Sequence, residues 1–350
     1  MTKVQSYSAT TLTREYRMSY NQSAATQRSQ LVALTECAGD GVCLTPLTLN
    51  WAAGETGFTA PAAWVKHGGG YDGSQAQYGD VNGDGKTDLI YRGVDNTFWV
   101  STSSGLTPDL LTTITTALGT ATSITYKPIT DNSIYTKEPG STYPTLDIQA
   151  PIYVVSSSST SNGIGGSYSL NYKYAGMKAS QDGRGMLGFR TMDTTDPQTG
   201  IVTHNEYRQD YPYTGLPSLS TKKINGTLLN QAQNTYSATV LGGTRYAVQL
   251  TQSVESSYEL NGSLVTTVTT NTQYDAYANP TQIIVSTGDG YSKTTTNIYT
   301  NDTTNWLLGR LTLASVTSVT PVAGALTRTS SFAYNATNGL LTQEVIAPNI

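Results

Sequence analysis

The chain has 350 residues and a net charge of −4, and only 13% of its residues are charged, about half the usual share. Its 20 Lys and Arg are scattered, which excludes the concentrated basic surface of a nucleic-acid binder, and no apolar run approaches the ~18 residues of a membrane span. Thr, Ser, Gly and Asn fill the place of charge, with 24 Tyr against 4 Phe, a composition suited to wide β-sheets with many turns.

Met1-Thr2-Lys3-Val4-Gln5 is not followed by the apolar stretch of a secretory leader. The chain starts directly in strand-like sequence, so the expectation is a piece of a longer protein. Residues 9–51 read as strands: in Arg14–Tyr20 the residues Tyr16, Met18 and Tyr20 share one face, and Gln30–Cys37 follows. Cys37 and Cys43 enclose a short segment that a hairpin could close. The pair reads equally as a disulfide or as two reduced core thiols. Residues 52–76, rich in Ala and Gly with Pro61 and Gly68-Gly69-Gly70, read as an irregular connection, and His67 within it as a loop residue.

Asp80-Val81-Asn82-Gly83-Asp84-Gly85-Lys86-Thr87-Asp88 is the sharpest chemical signal. Oxygen-bearing side chains stand at loop positions 1, 3, 5 and 9 (Asp80, Asn82, Asp84, Asp88), and Gly85 at position 6 permits the sharp turn. A hard cation such as Ca²⁺ takes roughly six to eight oxygens, and the Lys86 carbonyl is the natural backbone ligand. An EF-hand would need Glu at position 12 and flanking helices. That position is Tyr91, and the flanks Leu89-Ile90-Tyr91 and Phe98-Trp99-Val100, joined by a turn at Gly93-Val94-Asp95-Asn96, read as strands. The expectation is a calcium loop on a β-hairpin.

One helix is expected near 108–118: Thr107 as N-cap, Pro108 at the first position, Asp109 at the positive end, Leu110, Leu111, Ile114 and Leu118 on one face, and Gly119 as terminator. From Thr122 onward the chain reads as β. Tyr168, Leu170, Tyr172 and Tyr174 form a stripe of the kind that packs on a sheet. Asp182–Arg190 is glycine-rich but lacks the strand-then-helix setting of a phosphate loop, so it reads as turns between strands. After residue 201 hairpins repeat. Asn225-Gly226, Asn261-Gly262 and Asn338-Gly339 are type I′ turn signals, and Tyr207, Tyr236, Tyr274, Tyr299 and Tyr334 recur loosely.

Tyr78–Leu89 resembles the FG-GAP/VCBS motif of integrin-like β-propeller blades. The segment from Tyr16 to Trp51, the stretch Tyr143–Ser156, the run Gly183-Arg184-Gly185-Met186-Leu187-Gly188-Phe189 and the YD-like unit Tyr274-Asp275-Ala276-Tyr277 narrow this further. Together they resemble the SpvB/TcdB-like and RHS (YD-repeat) proteins of bacteria, including shell subunits of insecticidal toxin complexes. The resemblance implies an all-β fold: an RHS-like extended sheet, one calcium hairpin and the one short helix. It implies four segments: 1–51 SpvB-like, 52–105 with the calcium loop, 106–200 like the TcdB middle region, and 201–350 of RHS hairpins. It also implies a secreted or cell-surface, non-catalytic part of a shell. The partners would be the remaining shell, its C-terminal toxin cargo and a translocation subunit.

Two departures stand out: only one blade motif is present, and no RHS core end or toxin domain follows. The alternative is a calcium-stabilised adhesin or glycan-binding module. An enzyme is not expected, because His67 and His204 have no nucleophile nearby in sequence and the clustered carboxylates are assigned to calcium. The hairpin region should have two unlike faces, one rich in Thr and Ser and the other carrying part of the tyrosine stripe.

Overall fold

The computed structural model describes residues 1–66, 76–93 and 97–346, so His67, Gly68-Gly69-Gly70 and most of the turn at 93–96 lie outside the described residues. Among the described residues every regular element is a strand. The chain divides into two bodies. One comprises Met1–Glu138, Ile148–Tyr174 and Thr194–Gln198; the other comprises Pro139–Asp147, Ala175–Asp193 and Thr199–Ile350.

In the first body β1 (Lys3–Ser8), β2 (Thr11–Gln22), β3 (Ser29–Ala38) and β4 (Leu47–Trp51) pair antiparallel in sequence order. β5 (Glu55–Phe58) lies in the stretch expected to be irregular, as does β6 (Ala62–Lys66). β7 (Ala76–Gly79), β8 (Asp88–Arg92) and β9 (Thr97–Ser101) complete a four-stranded sheet in the order β6-β9-β8-β7, while β10 (Ser103–Gly105) pairs with β5. β11 (Leu111–Thr115) joins β4 on one side and β12 (Ala121–Pro128) on the other. After β13 (Tyr135–Thr136) and β14 (Thr145–Asp147), the ladder continues from β12 through β15 (Tyr153–Ser161) to β16 (Ser167–Ala175).

The expected helix at 108–118 is absent, and β11 runs through it. Thr112, Thr113, Ile114 and Thr115 are β-branched and prefer a pleated surface, and ladders on both sides of β11 satisfy its backbone. Asp109 sits at φ +64 and accepts hydrogen bonds from Thr26 and Gln30 instead of capping a helix. Gly119, at φ +83, turns the hairpin between β11 and β12. Leu118, assigned to the apolar face, is 95% exposed.

The buried apolar residues of this body are Cys37, Ala52, Ile129, Ile134 and Tyr135. Tyr135 buries its ring and donates its hydroxyl to the Ile148 carbonyl at 2.6 Å. Cys37 and Cys43 form a disulfide. In the tyrosine stripe of β16, Tyr174 donates to the Val155 carbonyl and burial pushes its phenol up to about 12, while Tyr168 stays exposed.

The second body holds a three-stranded sheet of β14, β17 (Lys178–Ser180) and β18 (Gly185–Gly188). The glycine-rich 182–190 run thus does form turns and short strands. β19 (Thr191–Asp196) leads to a ladder of ten strands: β20 (Ile201–Tyr207), β21 (Pro217–Ile224), β22 (Thr227–Gly242), β23 (Arg245–Tyr258), β24 (Leu264–Tyr274), β25 (Pro280–Thr287), β26 (Ser292–Asp302), β27 (Leu307–Thr320), β28 (Gly324–Tyr334) and β29 (Leu341–Ile346). Each pairs antiparallel with its sequence neighbour.

Of the three Asn-Gly signals only Asn225-Gly226 makes the two-residue turn with both residues at positive φ, +49 and +83. Asn261-Gly262 and Asn338-Gly339 lie in longer loops in which only the glycine is left-handed, because the Tyr258–Leu264 and Tyr334–Leu341 pairs set the strands further apart in sequence.

The five recurring tyrosines share one structural role. A register shift falls immediately before each, at Glu206/Tyr207, Thr235/Tyr236, Gln273/Tyr274, Ile298/Tyr299 and Ala333/Tyr334. Each tyrosine thus sits at a bulge, where the strand twists more strongly. Tyr207 pairs with Pro217, whose carbonyl accepts the Tyr236 hydroxyl at 2.8 Å. Tyr236 pairs with Leu250, whose carbonyl accepts from Tyr274 at 2.9 Å. Tyr274 pairs with Pro280, whose carbonyl accepts from Tyr299 at 3.3 Å. Tyr236, Tyr274 and Tyr299 therefore tie their strands to the pair before them.

Two faces follow from the register. One carries the rows Gln252–Asn271–Ile284–Thr294–Thr317–Thr327, Gln273–Gln282–Thr296–Ser315–Thr329 and Val254–Thr269–Ser286–Ser292–Val319–Ala325, none of which holds a charge. The opposite face carries Glu255, Lys293 and Arg328. Tyr299 bonds Asn297 and Tyr236 shares the Pro217 carbonyl with Asn234, and both asparagines alternate with the uncharged rows, so these tyrosines lie on the face opposite the Thr/Ser rows, as the sequence suggests. Among the described residues from 199 to 346 only Thr221 is buried.

Candidate functional site: the acidic loop between β7 and β8

β7 and β8 pair from Ala76↔Tyr91 to Gly79↔Asp88, which leaves Asp80–Thr87 as the loop closing this hairpin. The loop folds on its own carboxylates. Asp80 accepts from the backbone N–H groups of Gly83 and Asp84 through Oδ1 and of Gly85 through Oδ2, at 2.7–3.1 Å. The Asp84 N–H is shared with Asn82 Oδ1 at 2.9 Å, so the Asp80 and Asn82 oxygens lie side by side around one donor. Asp84 in turn accepts from the Lys86 N–H at 2.9 Å. Gly83 and Gly85 hold φ near +78 and +77, and a Cβ on Gly85 would stand 2.8 Å from Pro151 Cβ. Both the backbone and the space therefore require glycine there.

Asp88 differs from the other acids. It is fully buried, and its two oxygens accept from Val81 N–H at 3.0 Å and Ser103 N–H at 2.8 Å. Lys86 brings its own cation: Nζ lies 3.2 Å from Asp84 Oδ2 and donates to the Ser103 and Gly105 carbonyls at 3.0 and 3.2 Å. The loop is also clamped from the β12–β15 side, where Thr130 Oγ1 donates to the Gly83 carbonyl and Tyr153 OH donates to the Asp84 carbonyl at 2.7 Å. Sequence spacing finds the acids but not the Lys86 ammonium, the Ser103 partner or this clamp, all of which depend on distant segments.

The five candidate residues thus fall into two sets. Asp80, Asn82 and Asp84 gather within the loop, and Lys86 contributes at its end. Asp88 is drawn to β10, and among the described residues no three His, Cys, Asp or Glu side chains converge as a metal-binding group. The donor chemistry still suits a hard cation, since a carboxylate oxygen that accepts one N–H keeps a second lone pair.

Elsewhere, His204 has both ring nitrogens engaged by carboxylates, Nδ1 with Asp193 and Nε2 with Glu206 at 3.3 Å. Arg190 lies 3.8 Å from Glu206. Sequence separation hid Asp193 and Arg190, whereas Glu206 stands two residues from His204 on the same strand. Asp182 and Arg184 pair with each other, and the Arg184 guanidinium stacks 3.5 Å over the Tyr211 ring. The Ser180 hydroxyl first, and then Arg184, hold the Asp182 carboxyl below its ordinary range.

Fold and loop together define an all-β chain of paired hairpins with a docked acidic loop and a broad antiparallel ladder. Residues 50–215 match the family model of the insecticide toxin TcdB middle/N-terminal region. A chain in the crystal structure of TcdB2-TccC3-Cdc42 has a similar fold over 94% of this chain, at a TM-score of 0.62 and 12% identity. This chain spans 22% of that chain's length. No curated protein sequence matches. No helix among the described residues is long and apolar enough to cross a membrane.

Proposed function

We propose that this chain is a non-catalytic wall segment of a bacterial RHS-type toxin-complex shell, working outside the cytosol and helping to enclose or present a C-terminal toxin. The observation that carries this reading is the ladder from β20 to β29, which is ten strands wide yet buries no apolar side chain among its described residues. A domain that stands alone stacks a second layer on such a sheet. A wall needs breadth, continuous pairing and neighbours along its edges. The TcdB-like match over residues 50–215 points the same way, and the remaining shell, its cargo and a translocation subunit are the partners that follow. The Cys37–Cys43 disulfide suits an oxidising compartment.

β20 continues the sheet into β19, whereas β29 leaves an unpaired edge among the described residues, and bare edges pair between molecules. Circular dichroism and size-exclusion chromatography of the 350-residue chain should give a β spectrum without helical signal and concentration-dependent association. A compact, concentration-independent monomer with substantial helix would overturn the wall and leave the calcium-stabilised adhesin or glycan-binding module as the better reading.

The four-stranded sheet β6-β9-β8-β7 has the strand number of one propeller blade, and its loop is proposed as a Ca²⁺ site of FG-GAP/VCBS type. Asp80, Asn82, Asp84 and Asp88 would hold the ion through side-chain oxygens and Lys86 through its carbonyl, the Lys86 ammonium giving up Asp84. The ion would stiffen the blade where Thr130 and Tyr153 clamp it. Calorimetric titration with Ca²⁺ should give heat in the wild type and little in Asp84→Ala. No heat in the wild type, or equal heats, removes the site.

A further inference from the structure

Many cations of the chain have a carboxylate partner: Arg14 with Glu36, Arg17 with Glu15, Lys127 with Asp131 and Arg208 with Asp210 are examples. Lys293 and Arg328 do not. On the charged face of the ladder they line one cavity of about 340 Å³ together with Val316, Ser318 and Leu326. The register explains why they meet. Lys293 stands opposite Ser318, which stands opposite Leu326, and Arg328 stands opposite Val316, so β26, β27 and β28 form a basic groove with an aliphatic floor.

No carboxylate neutralises it. Among the described residues neither cation has an ion-pair partner within 4 Å. By register Glu255 lies three strands and two residues from Lys293, about 16 Å away at ordinary sheet spacings. Glu344, opposite Phe332, lies four residues and one strand from Arg328, about 14 Å away. Both exceed the ~8 Å screening length at physiological salt. Asp289, in the β25–β26 turn, is bonded to the Thr287 hydroxyl. On the opposite face the neighbouring rows Ser292–Val319–Ala325, Thr294–Thr317–Thr327 and Thr296–Ser315–Thr329 hold no charge.

We propose that this groove is a docking site for an acidic polypeptide segment, in which carboxylates meet Lys293 and Arg328 while an adjacent aliphatic side chain rests on Val316 and Leu326. Charge complementarity selects an anion. The aliphatic floor, with no aromatic ring in the groove, favours a side chain over a sugar ring. The scattered basic residues and net charge of −4 disfavour a nucleic acid. Arg328 offers a planar fork for a carboxylate and Lys293 a mobile point charge. This inference is independent of the wall reading, because it concerns one groove and not the extent of the sheet.

The test is fluorescence anisotropy of the 350-residue chain with a labelled peptide of alternating Glu and Leu at about 50 mM salt, where surface attraction is weakly screened. Saturable binding is expected, weakened about tenfold or more in Lys293→Gln/Arg328→Gln. Lys222→Gln/Lys223→Gln removes the same charge from β21 and should stay within about twofold of wild type. Circular dichroism confirms that the exposed substitutions leave the fold intact. Equal loss in both double variants would mean diffuse charge attraction and overturn the site. So would unchanged binding in Lys293→Gln/Arg328→Gln, no saturable binding by wild type, or a heparin fragment that displaces the peptide and binds more tightly.

Discussion

The two bodies of this chain are built from the same strands and hold together by different means. The first keeps a small buried core and a loop whose one fully buried acid, Asp88, pins it from inside. The ladder from β20 to β29 buries one threonine among its described residues and relies on backbone pairing, hydroxyl–hydroxyl contacts such as Ser256–Thr267 at 2.9 Å and Thr317–Thr327 at 2.8 Å, and the tyrosine ties. A long sheet can thus be specified without a hydrophobic interior when register is fixed by bulges and turns. The cost is sensitivity at many weak points in place of a few strong ones.

The sharpest way to break this comparison is to cut one side chain from each body. Ile129→Ala opens a cavity at a fully buried position and should cost about 2–5 kcal/mol. Ile284→Ala, half-buried on the ladder, should cost under about 1.5 kcal/mol. Urea unfolding of both variants measures the difference, and equal losses would erase the distinction. Next comes Asp88→Ala, which leaves the Val81 and Ser103 N–H groups without their acceptor. At about 1–3 kcal/mol for a buried orphaned donor, amide exchange at Ser103 should accelerate more than tenfold, while exchange in β24–β27 stays unchanged.

Smaller still are the tyrosine ties. Tyr236→Phe and Tyr274→Phe each remove one hydroxyl-to-carbonyl bond, worth about 0.5–1.5 kcal/mol. Loss should be greater when both are changed, since the two bonds belong to successive links, and exchange of β21–β25 amides reads it. The least effect is the pH dependence that one acid of the first body contributes. Lys127 first, then Ser133, hold the Asp131 carboxyl at about 2. Its folded value lies below the unfolded one, so its contribution is present above about pH 4 and is lost as pH falls towards 2. Acid unfolding of Asp131→Asn should show a shallower slope in that window. An unchanged slope would place the acid sensitivity elsewhere.

Much of this was legible from the chain alone. The β class, the hairpin carrying Asp80–Asp88, the turns around Arg184 and the recurring tyrosines follow from local spacing and β-forming residues. The failures have physical causes. Leu110–Leu118 carries a helical period, but its β-branched residues and the free flanks of β4 and β12 draw it into a sheet. Asn261 and Asn338 sit beside glycine as Asn225 does, yet the facing strand pairs, not the dipeptide, set loop length. Within the candidate site the spacing placed three acids and Asn82 around an ion, whereas Asp88 is claimed by Ser103, a partner no local motif announces. Glu206 stands two residues from His204 on β20, but the His204 cluster is completed by Asp193 only once β19 folds alongside.

The tyrosine ties bear on how such a chain changes length. Because the Tyr236, Tyr274 and Tyr299 hydroxyls each reach the carbonyl of the residue that the previous tyrosine faces, a link refers to its immediate predecessor and to nothing further away. A pair of strands could be gained or lost by duplication or deletion without renegotiating a shared interior, provided the new tyrosine meets a carbonyl in step. The loops between links, which already differ in length, would absorb the mismatch. Descent with such a rule favours lineages that vary in girth while keeping their thread.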